Sequence, residues 1–91
     1  MLEEVKLALR VSNDAYDSEI INLIESAKMD LQISGIIRID ETDPLIRRAV
    51  FLFAKSSFGI DNPNAEKFYD SYVMLKQHLS LSGDYNGSPV E

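Results

Sequence analysis

Apolar side chains recur along this chain at helical intervals almost from end to end. Leu2, Val5 and Leu9 stand at i, i+3 and i+7 and predict a short first helix, which stops before the turn-forming triplet Ser12-Asn13-Asp14. Asp14, Asp17 and Glu19 suit the positive start of a second helix, with Asp14 as its cap. Tyr16, Ile20, Leu23, Ile24, Ala27 and Leu31 share one face of that helix, and Gly35 stands where a left-handed stop is wanted. Ile36-Ile37-Arg38-Ile39 is rich in β-branched residues, but a lone strand has nothing to pair with, so it is expected as a connector tucked against the core. Asp43-Pro44 then opens a third helix running to about Phe58, before Gly59. Leu45, Ile46, Ala49, Val50, Phe51, Leu52, Phe53 and Phe58 leave it one polar stripe, Arg48 and Lys55, with Arg47 to the side. A helix apolar nearly all round belongs at the centre of a core. Asn62-Pro63 repeats the cap-plus-proline signal, and a fourth helix ending near Gly83 carries Phe68, Tyr72, Leu75 and Leu79 on one face. The predicted fold is all-α: a small bundle of about four helices over residues 1–83, with a central buried helix and a flexible C-terminal tail over 84–91, where Asn86-Gly87-Ser88-Pro89 are turn formers.

Length and charge sharpen this picture. A chain of 91 residues makes one small domain whose core is marginal, so self-association is expected. The absence of cysteine excludes disulfides, thiolate zinc sites and cysteine nucleophiles, and favours a reducing compartment. Met1 to Lys6 lacks the basic flank and apolar run of a signal peptide, and no stretch reaches the roughly 18 apolar residues of a membrane span. A soluble cytoplasmic product without membrane contact is the expectation. The net charge of −6 disfavours generic nucleic-acid binding, which draws its affinity from Lys and Arg on phosphates, and suits a protein partner.

The residues of chemically versatile type have structural explanations. His78, the one histidine, sits at the edge of the packed face of the fourth helix, and no serine or cysteine motif accompanies it. The stretch from Asp61 to Glu66 faintly resembles the opening of a calcium loop, but Pro63 interrupts it, the central glycine and distal glutamate are not in place, and capping explains it better. Asp40, Glu41 and Asp43 lead into a helix N-terminus, whose dipole accounts for them without a metal. With no glycine-rich phosphate loop, no catalytic, cofactor-binding or metal site is expected. Arg47, Arg48 and Lys55 form the one concentrated basic feature, either a solvated stripe or a docking strip for an acidic face of another subunit. Met29 and Ile33 lie opposite the inward stripe of the second helix, and Met74 and Leu81 point roughly 120–140° from the inward face of the fourth. If joined, these apolar residues mark a subunit interface.

The order of residues goes further. Leu2-Glu3-Glu4-Val5-Lys6-Leu7-Ala8-Leu9-Arg10, Asp14-Ala15-Tyr16-Asp17-Ser18-Glu19-Ile20 and Leu23-Ile24-Glu25-Ser26-Ala27-Lys28-Met29-Asp30-Leu31 resemble the head-tail connector (head completion, adaptor) family of tailed bacteriophages and prophages. So do Ser34-Gly35, Asp43-Pro44-Leu45-Ile46-Arg47-Arg48-Ala49, Phe58-Gly59-x-Asp61-Asn62-Pro63 and Ser71-Tyr72-x-x-Leu75-Lys76-x-His78-Leu79-x-Leu81-Ser82. The resemblance spans Leu2 to Tyr85 and rests on joint order and spacing. It implies a non-enzymatic subunit, assembled in the host cytoplasm, that forms a ring of about a dozen copies at the virion head-tail junction. Such a ring sits beneath the portal protein, extends the channel for double-stranded DNA without reading its sequence, and offers a platform to the next neck or tail-completion protein. The interface residues expected on this basis are Met29, Ile33, Met74 and Leu81 for burial, with Arg47, Arg48 and Lys55 meeting acids such as Glu25 or Asp70 of a neighbour. A C-terminal tail that orders on the portal is a further expectation. The competing reading is a small acidic dimeric regulator or adaptor, distinguished by assembly that stops at two.

Overall fold

A computed structural model describes residues 1–59 and 62–87. Among them are five helices: α1 (Leu2–Leu9), α2 (Asp17–Ile33), α3 (Pro44–Ser57), α4 (Ala65–Leu81) and the single turn α5 (Gly83–Asn86), with no strand. The body is elongated, 47 × 23 × 19 Å. None of these helices is long and apolar enough to cross a membrane.

The all-α bundle with a central helix is the fold the spacing predicted. α3 packs against α1, α2 and α4, and Ile46, Ala49, Val50 and Ala54 are its fully buried residues. Its start is built as expected, with Pro44 in the first turn and the Asp43 carboxylate accepting from the N–H groups of Leu45 at 2.8 Å and Ile46 at 3.4 Å. Two clusters form the core. Val5, Ile20, Ile24 and Ala27 pack on Val50 and Ala54, while Leu31, Ile36, Tyr72 and Leu79 pack on Ile46 and Ala49. Phe53 touches both. The connector is tucked in at its two ends, Ile36 fully buried and Ile39 half-buried against the core, while Ile37 and Arg38 between them are exposed.

Three local expectations are corrected. Asp14 does not cap α2, whose first residue is Asp17 and which has no side-chain cap. Its carboxylate instead binds the Lys6 ammonium at 3.0 Å, beside Asp17 at 2.9 Å. Lys6 is 5% exposed, and an ammonium so covered requires carboxylates more than a helix start requires a cap. Bonds to Asp17 and then Asp14 raise the Lys6 pKa despite its burial. Asn62-Pro63 precedes α4 by a turn rather than opening it: the Asn62 amide donates to the Lys55 carbonyl at the end of α3 at 2.6 Å, and its oxygen accepts from the Asn64 N–H. It closes one helix while leading to the next. Within the segment 84–91 expected as a tail, Asp84–Asn86 belong to α5, and this turn is tied down. The Tyr85 carbonyl accepts from the N–H groups of Ile37 and Arg38, and its hydroxyl donates to Asp43 at 2.9 Å. That bond raises the Tyr85 pKa, with burial adding to it. Ser88–Glu91 lie outside the described residues.

Glycine acts where its freedom is required: Gly35, at φ +96°, ends α2 by turning the chain so that the Ile36 N–H bonds back to Leu31. α1 ends on Arg10, which adopts the left-handed conformation at φ 60° without glycine's freedom.

Candidate subunit-docking surfaces

The interface residues expected from the sequence fall into separate surfaces. Met29 and Ile33 are 57% and 77% exposed on the back of α2, and both line a groove of about 520 Å³ that runs toward α4. Phe53 of α3 and Tyr69 of α4 complete its apolar lining, while Glu25, Ser26 and Asp30 supply its polar groups. α2 and α4 both pack on α3, and this geometry leaves the groove between them.

One cluster of polar groups holds the two sides together. Asp30 on α2 accepts from the Tyr72 hydroxyl at 2.5 Å and from the Lys76 ammonium at 2.9 Å, both on α4. Burial pushes the Asp30 carboxyl up, but the bonds from Tyr72 and Lys76 outweigh it and hold the group below its usual range. For Tyr72, burial first and the carboxylate second push the phenol well above its ordinary value, so its proton stays in place at every physiological pH. The ring packs edge-on against Phe53, with centroids 5.3 Å apart. The arrangement is a clasp that ties α2 to α4.

Arg47 and Arg48 form a second surface on α3. They line a hollow of about 390 Å³ with Pro44, Leu45 and Phe51. The Arg47 guanidinium lies 5.8 Å from the centre of the Phe51 ring, a cation over an aromatic face. Arg48 is exposed and has no acidic partner among the described residues. Leu45, expected on an almost fully covered helix, is 42% exposed here, because α1, α2 and α4 leave this side of α3 open. Lys55 does not join the arginines. Its ammonium sits 5.5 Å from the Phe68 ring, in a hollow also lined by Leu9 of α1 and Asn62.

Met74 and Leu81 make a third surface, on the back of α4, where they border a small hollow with Gln77 and His78. His78 is exposed there. Asp70, named as a possible acidic partner, is exposed on α4 next to Tyr69, and Glu25 carries no ion pair among the described residues. Tyr69 and Phe53 are the residues that spacing missed as members of a surface: Phe53 reads as one more apolar residue of the central helix, and Tyr69 lies off the inward stripe of the fourth helix. Leu7 and Ile37 are exposed as well, at 79% and 70%.

The acids considered as metal ligands are engaged in folding. Asp40 accepts from the Thr42 hydroxyl and N–H, which holds its carboxyl below the usual range. Glu41 pairs with Lys28 and with the N-terminal ammonium, Lys28 being the main cause that lowers its pKa. Asp43 caps α3 and holds Tyr85. Asp61 lies outside the described residues.

What the molecule presents is therefore a set of exposed apolar and basic surfaces on an all-helical frame. No curated protein and no solved structure matches the chain. Residues 1–86, nearly its whole length, match the protein family described as phage connector protein. The chain belongs to the phage connector family.

Proposed function

We infer that this protein is a subunit of a homo-oligomeric ring at the phage head-tail junction, seated under the portal, where it extends the DNA channel and receives the next neck or tail-completion protein. The observation that carries the reading is the family match over residues 1–86. The surfaces support it. Met29, Ile33, Met74 and Leu81 are large apolar side chains left exposed on the backs of two helices, in two separate surfaces that a neighbour could cover. Arg47, Arg48 and Lys55 are cations available to acids of a neighbour such as Glu25 or Asp70. The role is structural, and the protein catalyses no reaction.

The net charge of −6 suits a channel through which a duplex slides, since carboxylates facing the lumen repel phosphates and prevent adhesion. Native mass spectrometry over a concentration series tests the reading. A closed ring of about a dozen subunits, formed alone or on the portal, is the expected result. A strict dimer that neither grows nor binds the portal overturns it in favour of a small dimeric regulator.

A further inference from the structure

Two surfaces of this chain carry opposite unpaired charges, each beside exposed apolar side chains. The groove between α2 and α4 is apolar along Met29, Ile33 and Tyr69 and carries an unpaired carboxylate, Glu25. On the open side of α3, Leu45, Arg48 and Phe51 stand three residues apart in one row of side chains, a ridge that borders the hollow and carries the unpaired Arg48 beside Arg47. Phe53 floors the groove and Phe51 belongs to the ridge. Two residues apart on one helix, they project about 160° from each other around its axis, so groove and ridge lie on opposite sides of α3.

The geometry points to a head-to-tail contact between copies of this chain, in which the Arg48 ridge of one subunit seats in the Glu25 groove of the next. This rests on the ring reading above and names the faces that make the ring. Charge selects the pairing. Ridge against ridge sets arginines against arginines, and groove against groove sets Glu25 against its own copy, whereas ridge in groove pairs opposite charges around an apolar centre. The direction of assembly follows as well. A contact between two different faces leaves one ridge and one groove unfilled on every open oligomer, so subunits add until the circle closes; a contact of one face with itself stops at a dimer. Lys55, held over Phe68, and the Met74–Leu81 surface are outside this contact.

The chain contains no cysteine, which allows a directional cross-linking test. One batch carries Met29→Cys and another Leu45→Cys, both at exposed positions. A short bismaleimide is expected to join the two batches when mixed and to join neither with itself. Cross-linking within a single batch, or none in the mixture under conditions where the wild type assembles, overturns the contact. In parallel, Arg48→Glu and Glu25→Arg are each expected to raise the midpoint concentration of assembly about tenfold. Mixing the two variants, or combining both changes in one chain, restores it, and unchanged helicity by circular dichroism shows that each subunit is folded. Rings that ignore both reversals overturn this contact and leave the connector reading standing. A wild-type chain that stays monomeric alone and on its portal overturns both.

Discussion

Replacing Tyr72 with Phe removes one hydroxyl from the clasp and nothing else. The ring is fully buried and edge-on to Phe53, so phenylalanine keeps the packing. What is lost is the bond to the Asp30 carboxylate, of a kind that contributes about 1.5–3 kcal/mol when the acceptor is charged. Asp30 keeps its bond from Lys76, and its side chain is 37% exposed, so water replaces part of the loss and the lower figure applies, about 1.5 kcal/mol. For a domain of this size that lowers Tm by about 6–12 °C at pH 7. Acid supplies the control. Asp30 titrates below its ordinary 3.8 in the folded protein, so the unfolded chain takes up the proton first as pH falls. The stability this carboxylate contributes is present above about pH 4 and is lost as pH drops through the lowered folded value. A neutral carboxyl still accepts from Tyr72, but with about half the strength. The difference between wild type and Tyr72→Phe is therefore expected to shrink by about half once pH falls below the lowered folded value of Asp30. Thermal melts followed by circular dichroism, at concentrations below assembly, measure both numbers. A difference under about 0.5 kcal/mol at pH 7, or one that does not change with pH, refutes the reasoning.

Four further substitutions probe the frame. Ile46→Ala opens a cavity between Leu31, Ala49, Tyr72 and Leu79 and is expected to cost about 3 kcal/mol in urea denaturation. Gly35→Ala costs about 1 kcal/mol although nothing lies within 4 Å of the added carbon, since its φ of +96° strains any side chain-bearing residue. Arg10→Gly, at φ 60°, acts in the opposite sense and stabilises by about 0.5 kcal/mol, measured the same way. Asp43→Ala removes the cap of α3 and the partner of Tyr85 and costs about 2 kcal/mol. Hydrogen exchange in that variant is expected to show lost protection at the amides of Ile37 and Arg38, which bond to Tyr85.

The parts of this fold legible in the sequence are those decided within a few residues. Asp43-Pro44 starts α3 and Gly35 stops α2 because cap, proline and left-handed turn are local chemistry. The central place of α3 was legible too, from the lack of a wide polar face. Asp14 misled because the need of Lys6, eight residues earlier, decided where its carboxylate went. α5 was hidden for a similar reason: four turn-forming residues have no periodicity, and what orders them is Asp43, 42 positions away. For the docking surfaces, spacing found Met29 and Ile33 on the back of α2 and set Arg47 beside Arg48. It did not show that Phe53 and Tyr69 join the first pair or that Leu45 stands open beside the second, since both depend on how α2 and α4 lie across α3.

The clasp at Asp30 has a mechanical meaning. α2 and α4 each lean on α3, and the bonds of Tyr72 and Lys76 to one carboxylate are the named polar tie that spans them. In a ring whose subunits grip one another through that groove and through the outer side of α3, tension passes from neighbour to neighbour across the thickness of a single helix. In the proposed ring, the stiffness of the collar then rests on α3, on the packing of Leu31 with Tyr72 and Leu79, and on the carboxylate that ties α2 to α4. If the proposed ring forms, loosening that tie is expected to leave its assembly intact and make the collar give more under load.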